Sequence, residues 1–125
     1  MAKSISHGCG IERKDAALRA EVGPGLSEEV QQCYHAVANE CVTGHCHRVL
    51  IVGNAKIDEF SHLALRDMLR SIALAGLPAD FRLAVVAGTP NLIAVYDTAV
   101  VEAGRLGIEA RRFMSEEEAA RWLSS

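Results

Sequence analysis

Four consecutive aliphatic residues, Val49, Leu50, Ile51 and Val52, constrain this chain more than any other stretch. Alternating strands place every second side chain in water, so an unbroken β-branched and aliphatic run predicts a strand covered on both faces, as in the interior of a parallel sheet. Gly53 and Asn54 close the run. A short polar loop, residues 55–58, leads directly into a helical pattern with Leu65, Met68, Leu69 and Ile72 on one face and Phe60 and Ala64 on its flank. Strand, short loop and helix make the first half of a βαβ unit. Ligands and partners of open α/β sheets meet the carboxyl ends of the strands, which directs attention to residues 53–62.

The rest of the chain repeats this alternation. Upstream, Leu18, Ala20 and Val22 alternate with Arg19 and Glu21, the period of a half-buried strand. Residues 5–11 are its expected antiparallel partner, with residues 12–15 as the polar turn. Gly23, Pro24 and Gly25 break the pattern, and Ser27 stands at the N-cap of a helix with Glu28 and Glu29 in its first turn. That helix carries its apolar stripe on Val30, Cys33, Tyr34, Val37 and Cys41, and Gly44 is placed to end it in a left-handed conformation.

Downstream, Gly76 and Pro78 stop the helix that follows the central strand. Residues 81–87 form a second buried strand, and Thr89 and Pro90 supply an N-cap hydroxyl and a proline at the first helical position. Gly107 ends that helix, and residues 108–113 are a further strand. Ser115 and Glu118 then form a capping box for a short helix burying Ala119, Trp122 and Leu123. The order is β-β-α-β-α-β-α-β-α: a single α/β domain over residues 1–125, with a mixed, mostly parallel sheet of about five strands and four helices, and residues 1–15 as edge strand and turn.

Composition narrows the function. Thirteen Lys and Arg against 16 Asp and Glu give a net charge of −3, so no basic field points to nucleic acid. No apolar run approaches a transmembrane segment, and the first residues lack the apolar core of a signal peptide, from which a cytoplasmic location is expected. The four cysteines, Cys9, Cys33, Cys41 and Cys46, are then expected to be reduced. No triad, carboxylate pair, P-loop or dinucleotide fingerprint occurs, and neither an enzymatic activity nor a cofactor is expected.

The candidate binding residues are Asn54, Lys56, Asp58, Ser61, His62, Arg66, Arg70 and Thr89. His62, Arg66 and Arg70 lie at i, i+4 and i+8 on the polar side of their helix, suited to an acidic partner or simply to solvent. Ser61 is placed either to accept a phosphate beside His62 and Arg66 or to satisfy first-turn N–H groups. Cys41, His45, Cys46 and His47 hold zinc-type donors without a C-x-x-C spacing, so a metal site there is the lesser alternative to buried thiols.

The sequence FRLAVVAGTP, the tyrosine-bearing helix after it, and the closing pattern from Ile108 through Arg112 and Phe113 to Glu118, Ala119, Trp122 and Leu123 resemble the STAS domain. The likeness covers roughly residues 16 to 123 and is nearest the bacterial STAS/SEC14-like, anti-sigma-factor-antagonist-like branch. It implies a STAS-like fold and a non-enzymatic regulatory domain that binds a protein partner, or a second copy of itself, through the loop after the central strand and the next helix. The SEC14-like side of the resemblance implies instead an apolar cavity between sheet and helix for a lipid-like ligand. Antagonist proteins carry an aspartate followed by a regulatory serine. Here Asp58 matches the aspartate, Glu59 takes the serine's position, and Ser61 lies three residues beyond Asp58.

Overall fold

A computed structural model describes residues 3–6, 9–14, 17–23, 27–44, 46–54, 59–76 and 78–125. One sheet runs through it in the order β1 (Lys3–Ser6), β2 (Cys9–Lys14), β3 (Ala17–Val22), β4 (Arg48–Gly53), β5 (Arg82–Ala87) and β6 (Glu109–Phe113). The first two pairings are antiparallel and the remaining three parallel. Helices α1 (Ser27–Gly44), α2 (Glu59–Leu74) and α3 (Asn91–Arg105) connect the parallel strands, and α4 (Glu116–Ser124) closes the chain. The expected class and alternation hold. The edge differs: residues 12–14 continue β2 instead of forming a turn, and β1 adds a short strand outside it.

Parity along the strands divides the molecule into two unequal cores. Val49 and Ile51, with Leu83 and Val85, face α1, α2 and α3, where the main core gathers. Leu50 and Val52, with Ala84 and Val86, face the other way and are covered by Ala119 and Leu123 of α4. The run 49–52 is therefore buried on both faces, and each of its side chains contributes about 2 kcal/mol by leaving water. Three helices cover one face, whereas nine-residue α4 covers only part of the other. The strands left uncovered there, β2 and β3, present Glu12, Arg19 and Glu21 to the open side, and these are linked as ion pairs.

Gly76 and Gly107 terminate α2 and α3 at positive φ, as expected. Gly44 ends α1 without that conformation; a side chain there would meet the Arg13 guanidinium. The Ser115 hydroxyl accepts from the Glu118 N–H at 3.2 Å, completing the predicted cap of α4. Thr89 does not cap α3. The helix begins behind Pro90 with no side-chain hydrogen bond, leaving the Thr89 hydroxyl buried and unpartnered.

One polar contact lies deep in the main core. The hydroxyls of Tyr34 on α1 and Tyr96 on α3 meet at 2.9 Å, both rings almost wholly buried. Burial pushes both phenols up, Tyr96 to about 12, so the pair stays neutral at physiological pH. Tyr34→Phe or Tyr96→Phe alone strands the other hydroxyl and is expected to cost about 1–2 kcal/mol. The double variant should cost no more than one single, because nothing polar is then left unpaired. Urea unfolding of the four proteins measures this, and strictly additive losses would contradict it.

Candidate functional site: a groove beside the last helix

A hollow of about 430 Å³ lies on the half-covered face of the sheet between α4 and strands β3 and β4. It forms because α4 is short and centred on β5, so its flank stops before β3. Ala17 and Leu50 make the floor, Ala120 and Leu123 the helix wall, and Arg19, Arg48, Arg121 and Glu116 the rim. A mostly apolar concavity of this size with a few charged groups at its mouth is the usual form of a small-molecule site.

Each rim group is positioned by a local rule. Arg19 sits opposite Leu50 in the β3–β4 register, which places it on the face of α4. Its guanidinium donates to both oxygens of Glu116, at 2.6 and 3.0 Å, fixing the amino end of α4 against β3. That contact, first among several, holds Arg19 above its ordinary pKa. Glu12 and Glu21 also approach Arg19, so its charge is already balanced. At the other end Arg48 donates to the Leu123 carbonyl at 2.7 Å, and Arg82 to the Trp122 carbonyl at 2.7 Å. These are the orphan acceptors of a helix carboxyl end, where cations are favoured by roughly 0.3–1 kcal/mol. Arg82 and Arg111 also lie over the Trp122 ring, at 5.2 and 5.6 Å from its centre. Trp122 is thus only half-buried, a bracket beneath two guanidiniums instead of the core residue expected. Arg48 additionally binds Asp80, whose carboxyl is held below its usual range chiefly by the hydrogen bond with His47. Arg121 carries no ion pair among the described residues and stands exposed on the groove's lip.

This location departs from the carboxyl ends of the strands, where the sequence directs attention. The groove reaches Ala17 and Arg48, the first residues of β3 and β4. Of the expected binding residues, Lys56 and Asp58 lie outside the described residues, as does the side chain of Ser61. Asn54 is tied to β3, its N–H donating to Val22 at 2.7 Å and its amide to Glu21 at 3.4 Å. The stripe of His62, Arg66 and Arg70 does not stand free as a unit. Arg66 pairs with Glu102 of α3 at 3.4 Å, and with His62 it lines a crevice of about 100 Å³ between α2 and α3; Arg70 alone is exposed.

The cysteines also depart from expectation. Cys9 and Cys33 form a disulfide between β2 and α1. Cys41 and Cys46 are free and buried, and desolvation pushes the Cys41 thiol up to about 12, so it stays protonated. His47 turns to Asp80, at 2.8 Å, and His45 lies outside the described residues. Among the described residues no three His, Cys, Asp or Glu side chains converge as metal ligands, and no helix is long and apolar enough to cross a membrane.

Comparison with protein-family models, with curated proteins and with solved structures finds no match to this chain. Missing from the expected residues are the groove's own: Arg19, Arg48, Leu50, Glu116 and Arg121. A signal for them existed. Arg19, Arg48, Arg82 and Arg111 occupy one parity, one per parallel strand, on the face opposite the three crossover helices.

Proposed function

We propose that this chain is a non-enzymatic, STAS/SEC14-like module that binds a small amphipathic acid in the groove beside α4. The observation that carries the reading is the 430 Å³ hollow itself, apolar at its floor and rimmed by arginine. An aliphatic or aromatic tail lying on Leu50, Ala17 and Leu123 would leave water, at about 25 cal/mol per Å² of apolar surface. The carboxylate would meet Arg121, the one rim guanidinium not already engaged among the described residues, with Arg48 beside it. Arg19 is committed to Glu116 and serves to hold the wall in place.

Decanoate and a neutral alcohol of equal chain length, titrated by NMR, test the reading. Decanoate should shift resonances of β3, β4 and α4, and the alcohol should bind less tightly. Ala120 is exposed on α4 at the groove's wall, so Ala120→Phe fills the space without opening the core and should weaken decanoate at least about tenfold. Arg121→Gln should erase the preference for the acid over the alcohol. Decanoate shifts unchanged by Ala120→Phe would place the ligand elsewhere and overturn the proposal.

A further inference from the structure

On the other side of the molecule, α2 carries a stripe that the core does not use. Leu63, Asp67, Arg70 and Leu74 recur at i, i+4, i+7 and i+11, which aligns them along the outward face of the helix. All four are exposed, Leu63 by 51% and Leu74 by 88%, the largest exposure of any bulky apolar side chain among the described residues. Asp67 and Arg70 could pair within the helix at that spacing, yet neither has an ion-pair partner among the described residues. Single surface leucines need no explanation; the order of these four does. Read backwards, the stripe is apolar, basic, acidic, apolar, with the same spacing. Laid antiparallel on its own copy about a two-fold axis midway between positions 67 and 70, each Leu63 falls on Leu74 of the copy. Each Asp67 then falls on an Arg70.

We propose that two copies of this chain associate through α2, antiparallel, with Leu63 against Leu74 and Asp67 against Arg70 across the axis. An isologous contact makes every favourable pair occur twice, which is why a self-complementary stripe selects a second copy over an unrelated partner. Head-to-head or parallel pairing would set Asp67 against Asp67 and Arg70 against Arg70, so the charges also fix the direction. The groove beside α4 lies on the opposite side of the sheet and stays open in the pair.

Sedimentation equilibrium across a concentration series tests this, with circular dichroism to verify folding of each variant. Wild type should dissociate reversibly from dimer to monomer. Asp67→Arg alone, or Arg70→Asp alone, brings like charges together twice and should raise the dimer Kd by about 100-fold. The combined swap, Asp67→Arg with Arg70→Asp, restores every pair with the signs exchanged and should recover the dimer. Leu74→Glu should leave monomer. A wild-type chain monomeric at all concentrations would overturn the proposal, and so would a swap no better than its single variants.

Discussion

Replacing Gly53 with alanine is expected to destabilise the fold by about 3 kcal/mol. Gly53 is the last residue of β4, buried, at the point where the Tyr96 ring reaches in from α3. A Cβ there would fall on the Tyr96 hydroxyl and lie within 2.7 Å of Cζ and 2.8 Å of Cε2. Two of these atoms belong to a rigid ring with no exposed surface, so the ring cannot swing into solvent. Moving it would also pull its hydroxyl from Tyr34, adding a broken buried hydrogen bond to the overpacking. Tyr96→Phe in the Gly53→Ala background removes the closest atom but leaves both ring carbons in place. It should therefore restore only part of the loss. Urea midpoints for the three variants measure this; a loss below about 1 kcal/mol for Gly53→Ala would show that the core yields more readily than its packing indicates.

Gly53 marks the boundary of what the sequence could tell. The run 49–52 and its closing glycine were enough to place a doubly covered strand, because aliphatic continuity has one cheap explanation in water. They could not reveal that the glycine is required by a tyrosine 43 positions later (96 − 53), since that contact depends on how α3 lies across the sheet. The same division holds for the groove. Ser115 and Glu118 announced α4, and the alternation of Leu18, Ala20 and Val22 implied that Arg19 faces away from them. The hollow, however, arises from what is missing: nine residues of helix cannot span six strands, and no local pattern encodes an uncovered area. Arg66 shows the converse error. Its spacing with His62 and Arg70 suggested one polar stripe, but a helix in the middle of a layer has neighbours on both sides, and Glu102 of α3 claims that arginine.

Loss of the Cys9–Cys33 bridge, by reduction or by Cys9→Ala with Cys33→Ala, is expected to lower stability by about 3.5 kcal/mol and Tm by roughly 10 °C. The two cysteines are 24 positions apart, and closing a loop of that length removes about this much freedom from the unfolded chain. The native side adds to the effect. β2 belongs to the antiparallel edge and touches the helical layer through Ile11, the exposed Arg13–Glu40 ion pair and the bridge itself, so without the bridge the edge is held mainly by its ladder with β3. Because Cys33 lies on the buried stripe of α1, periodicity reads it as one more small apolar residue; only the register that sets Cys9 against Val22 brings the second sulfur to it. Whole domains of this kind have only about 5–15 kcal/mol in hand, so the bridge decides a large share of the margin. Such a bond persists in an oxidising compartment and is opened in a reducing cytosol, so its state in the protein as isolated reports the conditions the chain has met. Alkylation of unfolded, unreduced protein should label two thiols, those of Cys41 and Cys46, and four after reduction. Four labels without reduction, or thermal unfolding unmoved by reductant, would mean that the edge strands are secured by the ladder alone.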